Sequence, residues 1–123
     1  MKRFTGILLA LAFLLPGMAY SASEPTPEEN LKFRSETVDY RTIKVQLINL
    51  QKALTTVTLK DIDGKEYYRK VIKNHNGFAR KLDLDGLDNG RYILAVEQND
   101  EKWVQVVLVD DDKIRLSKVV NKG

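Results

Sequence analysis

The chain has no cysteine among its 123 residues. This excludes disulfide staples, a thiolate nucleophile and lipid attachment through an N-terminal cysteine. Histidine is almost as scarce: His75, in the turn-like stretch KNHNG, is the only one, and beyond residue 30 the only serines are Ser35 and Ser117. Nucleophilic catalysis needs a nucleophile and a base within hydrogen-bond reach, so a triad has almost no material here. Carboxylates are plentiful enough in principle for a two-carboxylate hydrolase, but most fall in predicted turns, where charge is the ordinary composition. No window keeps a helical period over the roughly ten residues a helix requires. The expectation is a non-enzymatic, all-β chain with no cofactor.

What is present begins with an address. Lys2 and Arg3 precede an apolar run from Ile7 to Leu15, followed by Pro16, Gly17 and a string of small residues. This is the layout of a secretory signal peptide, with cleavage sites after Ala19, Ser21 or Ser23. The apolar run is about half of the roughly 20 residues that cross a bilayer, so no retained membrane span is expected. The reading divides the chain into a signal peptide (1–22), a flexible leader (23–30) and one β-sandwich domain (31–123), placing the protein outside the cell or in the periplasm. Lys2 and Arg3 are 2 of the 20 basic residues, leaving 18 against 17 acidic ones, a net charge of +1. Such a balance lacks the positive footprint that phosphate-backbone binding requires, and no nucleic-acid partner is expected.

From Leu31 onward the pattern is period two. In RTIKVQLIN, Ile43, Val45 and Leu47 alternate with Thr42, Lys44 and Gln46, as a strand with one buried face demands. TTVTLKD repeats the alternation, Asp63-Gly64 marks a hairpin before EYYRKVI, and FARKLDL, RYILAVEQ, WVQVVLV and KIRLSKVV follow with turn residues between them. Seven strands are expected, or eight if KFRSETV pairs as an edge. Turn signals about ten residues apart argue for an antiparallel sandwich, and WVQVVLV, apolar on both faces apart from Gln105, belongs in mid-sheet. With no disulfides the core must hold unaided, and about 100 residues suffice for one core.

The acidic stretch LDLDGLDNGRYILAV, Leu82 to Val96, joins two such strands. Leu82 and Leu84 share one face, as do Tyr92, Leu94 and Val96. The intervening DGLDNG carries glycines and an Asn suited to turn conformations, with Leu87 expected to fold back as a plug over the end of the sandwich.

Taken together, VTLKDIDGKEYYRKVI and KLDLDGLDNGRYILAV resemble a pattern of exported Bacteroidetes proteins: a D-x-x-G-K turn, then L-x-L-x-x-L-x-x-G-x-Y-x-L-x-V about twenty residues on. The matching positions are Asp61, Gly64, Lys65, Leu82, Leu84, Leu87, Gly90, Tyr92, Leu94 and Val96. The resemblance is to type IX (Por) secretion C-terminal sorting domains and implies an immunoglobulin-like sandwich of about seven strands. Two departures stand beside it. Such a domain normally trails a large cargo, here replaced by the signal-like segment, and DDDKIRLSKVVNKG continues past the expected last strand. Both favour a free-standing domain.

Three sets of residues are candidates for a site. Asp61 and Asp63, Asp83, Asp85 and Asp88, and the run Asp110 to Asp112 offer hard oxygen ligands for calcium, although calcium needs six to eight converging oxygens and Asp-Gly turns serve hairpins equally well. No metal is expected, and these acids are the places to look for one. Tyr67, Tyr68 and Trp103 form a candidate platform for carbohydrate. Because Tyr67 and Tyr68 are consecutive, strict alternation turns one of them outward. Edge strands bearing Lys and Thr suit a partner strand or guard against unwanted pairing. The expected role is interaction or structure in the cell envelope, with an envelope or secreted protein as partner; a carbohydrate-binding module and a calcium-stabilised adhesion domain are the alternatives.

Overall fold

The computed structural model describes residues 30–111 and 113–122. Asp112, Gly123, the expected signal peptide and all of the expected leader except Asn30 lie outside the described residues. Among the described residues there are nine strands and no helix: β1 (Lys32–Asp39), β2 (Thr42–Ile48), β3 (Thr55–Asp61), β4 (Glu66–Ile72), β5 (Gly77–Asp83), β6 (Gly90–Gln98), β7 (Glu101–Val109), β8 (Ile114–Leu116) and β9 (Val120–Asn121). KFRSETV pairs as an edge strand, and KIRLSKVV is two short strands rather than one. The break between them is made at Ser117, whose hydroxyl accepts the Val106 N–H at 2.9 Å and donates to the Lys118 carbonyl at 2.9 Å.

Alternation explains the strands. Ile43, Val45 and Leu47 of β2 are at most 1% exposed, while Thr42, Lys44, Gln46 and Ile48 between them are half-buried. They face Val57 and Leu59 of β3, Leu94 and Val96 of β6 and Val107 of β7, all within one apolar cluster. Each such side chain taken fully from water stabilises the fold by about 1.5–3 kcal/mol, which is how the core stands without disulfides.

The strands form two antiparallel sheets, ordered β1-β2-β5 and β4-β3-β6-β7-β8, with β9 also pairing β7. In immunoglobulin lettering this is A-B-E against C′-C-F-G, extended by β8 and β9 on the outer side of β7. That places β7 in mid-sheet. Gln105, its polar exception, lies on the inner face opposite Leu94 and is only 5% exposed. It is satisfied there: Ser35 of β1 donates to its Oε1, and its Nε2 donates to the Ser117 carbonyl at 2.7 Å. The bond from Ser35 stitches the two sheets together along the β1/β7 side. The opposite side, between β4 and β5, carries no comparable stitch among the described residues.

Candidate functional site

The loops at one end of the sandwich are built around the acidic stretch between β5 and β6. Asp83 Oδ1 accepts the Asp85 N–H at 3.0 Å, and the Leu87 N–H returns to the Leu84 carbonyl at 3.1 Å. Leu87 packs against the core as the expected plug. Tyr92, 4% exposed, donates its hydroxyl to the Asp88 carbonyl at 2.6 Å. A tyrosine at the start of strand F bonded to backbone just upstream is a tyrosine corner, and Leu94 stands two residues on, where antibody domains carry their second cysteine. Gly90, at φ +152°, makes the bend between the two. Burial raises the Tyr92 pKa above its ordinary value, with the nearby Tyr67, Asp88 and Asp61 adding to the effect.

Arg41 locks the same loop from outside it. The sequence gives no sign of this role, because Arg41 reads as a surface residue beside β2. It is 7% exposed at φ +51° in the β1–β2 turn. Its Nη2 donates to the Leu87 carbonyl at 2.6 Å, its Nη1 to the Asp110 carbonyl at 2.8 Å and to Asn89 Oδ1 at 3.4 Å. Its Nε lies 3.6 Å from Asp85 Oδ1 without a hydrogen bond. Its carbonyl accepts the Leu84 N–H at 2.7 Å. One side chain thus joins three loops from both sheets.

The calcium candidates fall in separate loops with local duties. Asp61 Oδ1 accepts the backbone N–H groups of Asp63 and Lys65 at 2.9 Å each, closing the β3–β4 turn in which Gly64 adopts φ +93°. These bonds, that from Lys65 foremost, hold the Asp61 carboxyl below its ordinary pKa. Asp83 is bonded within its own loop, Asp85 faces Arg41, and Asp88 contributes its carbonyl to Tyr92. Asp110 Oδ1 accepts the Asp111 N–H, and Asp111 Oδ1 accepts from Asn89 Nδ2. Among the described residues no three acid or histidine side chains converge as a metal site.

The aromatic candidates divide. Strict alternation does not hold at Tyr67-Tyr68: the register of β3 on β4 passes from Leu59↔Tyr68 to Lys60↔Glu66, leaving Tyr67 as the extra residue of a β-bulge. Neither tyrosine turns to the outer face. Both line a cleft of about 190 Å³ between β4 and β5, floored by Leu59, Leu82, Leu84 and Leu87. Tyr67 meets Tyr92 edge to face at 5.6 Å and donates to Asp61 Oδ2 at 3.3 Å, with Lys65 Nζ 5.1 Å from its ring centre. Tyr68 packs on the core with its hydroxyl buried and without a partner among the described residues. Trp103 is apart from them, on β7 opposite Val96 and Asn121, half-buried against the core. The sequence groups three aromatics; the structure brings two together.

The residues for nucleophilic chemistry are also dispersed. Ser35 and Ser117 are joined through Gln105, while His75 lies in the β4–β5 loop and its carbonyl accepts the Lys52 N–H.

The fold is thus an immunoglobulin-like sandwich with a tyrosine corner at one end and an open seam along one side. The chain belongs to the family of secretion system C-terminal sorting domains, whose model matches residues 37–110, from within β1 to just past β7. β8 and β9 lie beyond the matched segment. No match is found among curated proteins. The family implies a secreted protein, and its domains serve sorting rather than catalysis. Among the described residues no helix is long and apolar enough to cross a membrane.

Proposed function

We propose that this domain is a non-catalytic recognition module of type IX secretion that acts in the cell envelope by presenting its surface to a protein partner. The observation that carries this reading is the extent of the family match: residues 37–110 cover the sandwich from β1 through β7. The motif residues within that span are absorbed by the fold, with Leu82, Leu84, Leu94 and Val96 in the core and Tyr92 in its corner. What remains for function is the surface. Recognition of a folded domain by transport machinery requires only a stable shape with distinctive edges, and the β4–β5 side supplies one.

The test is a fusion of residues 24–123 to the C-terminus of a reporter carrying its own periplasmic export signal, expressed in a type IX-competent host and in a strain lacking the outer-membrane translocon. Reporter reaching the medium or cell surface only in the competent host supports the sorting reading. Retention in the periplasm of both strains sinks it.

A further inference from the structure

The β4–β5 seam has features that the fold does not use. Among the described residues β4 pairs only with β3, and β5 only with β2, so each presents an unpaired backbone edge along the same side of the sandwich. The tyrosine-lined cleft occupies one end of this seam, and a second hollow lined by Ile72, Phe78 and His75 lies at the other. Strand register places Lys70 opposite Val57 and Arg80 opposite Val45, so both cations take inner-face positions, one on each edge strand. Both are exposed. No ion pair among the described residues engages them or their neighbours Lys73 and Lys81. The acids of the two strands are already bonded, Glu66 to Arg69 at 2.9 Å and Asp83 within its loop.

We propose that this seam binds an extended acidic segment of a partner polypeptide, laid along the free edge of β4 with its carboxylates against Lys70 and Arg80. The inference rests on the protein-recognition reading and names the chemistry of the partner. Three observations fit this occupant together. A free strand edge offers main-chain hydrogen bonds to an extended peptide, the leucine and tyrosine floor at the end of the seam takes an apolar inward side chain, and Lys70 and Arg80, on the same inner face, select carboxylates at the neighbouring inward positions. Seven residues of β4 span about 23 Å at the usual strand rise, which sets the length of segment accommodated.

The probe is a fluorescent seven-residue peptide, Val-Thr-Glu-Thr-Glu-Thr-Val, whose odd positions share one face so that its valines meet the two hollows and its glutamates meet Lys70 and Arg80; it is titrated into the purified protein and followed by anisotropy. Three controls accompany it: the same peptide with lysine for glutamate, the acidic peptide N-methylated at alternate residues, and an oligogalacturonate as an anionic sugar. The expected result is saturable binding of the acidic peptide alone, weakened at high salt and by at least about tenfold in the Lys70→Glu/Arg80→Glu variant. That variant changes exposed side chains, and an unchanged unfolding midpoint certifies its fold. Absence of binding would overturn the proposal and leave the two cations as guards against edge-to-edge pairing. Equal binding of the N-methylated peptide, or preference for the sugar, would overturn it too, because the strand edge would then have no part. Self-association that accounts for the anisotropy signal, checked by sedimentation, would assign the seam to a second copy instead. None of these failures touches reporter export, so the inference and the sorting reading can fall separately.

Discussion

Tyr92 donates its hydroxyl to the carbonyl of Asp88, four residues upstream, at 2.6 Å, and this bond gives the acidic loop between β5 and β6 its purpose. The ring is buried with the core and the loop is drawn over the end of the sandwich. Tyr92→Phe keeps the ring and removes the bond, so the expected cost is about 1–2 kcal/mol. For a domain of this size that lowers the thermal midpoint by roughly 4–8 °C per kcal/mol. Calorimetry of the two proteins measures it; an unchanged midpoint would mean that the corner bond is replaced by water at no cost.

Arg41 holds the residues on either side of that bond, the carbonyl of Leu87 and the side chain of Asn89. Arg41→Ala deletes a guanidinium serving three loops and strips the Leu87 carbonyl of its donor, an expected loss of about 3 kcal/mol. Arg41→Lys keeps the charge but has no planar fork to reach several acceptors at once, so it recovers less than half of the loss. Because Tyr92 and Arg41 brace one short loop, the double variant Tyr92→Phe/Arg41→Lys should lose less than the sum of the single changes. Urea titration of the four proteins reads the coupling, and strict additivity would show that the two braces act independently.

Strands and core were legible in the sequence because period-two alternation is a local signal: Ile43, Val45 and Leu47 declare their face with no knowledge of the partner strand. The L-x-L-x-x-L-x-x-G-x-Y pattern was legible as a resemblance, and the corner supplies its physical reason. Its leucines are core residues flanking a loop that Gly90 bends and Tyr92 ties. Two things stayed hidden. Arg41 takes its role from acceptors 46 to 69 residues away, which no local pattern announces. The facing of Tyr67 depends on a bulge set by the register of β3 on β4, and one inserted residue reverses the face that alternation assigns.

Tyr68 gives a prediction of opposite sign. Its hydroxyl is buried and has no hydrogen-bond partner among the described residues, while its ring packs on the core. A buried polar group without a partner costs roughly 1–3 kcal/mol. Tyr68→Phe should therefore leave stability unchanged or raise it by about 1 kcal/mol, against the usual direction for a core-facing substitution. A fall of the midpoint comparable to that of Tyr92→Phe would show that the hydroxyl is satisfied in solution.

The pH dependence of stability follows from the β3–β4 hairpin. The Lys65 N–H holds Asp61 below its ordinary 3.8, and Arg69 holds Glu66 below its ordinary 4.5. A carboxyl whose folded pKa is depressed stabilises in full above its unfolded value, and that contribution is lost as pH falls through the lower folded value. Tyr67 is shifted the other way, above 10.0, by loss of water and then by the Asp61 charge. Its contribution is complete below 10.0 and is lost as pH rises through the folded value. These groups leave stability level between about pH 5 and 9, with loss on both sides. Asp61→Asn separates the causes, since the amide oxygen still accepts the turn N–H groups while the charge is gone. The acid limb should flatten, and Tyr67, followed by ultraviolet difference absorbance, should titrate closer to 10.0. If the phenol titrates as before, the Asp61 carboxylate has no hold on it, and desolvation, aided by Asp88 and Asp63, keeps it protonated.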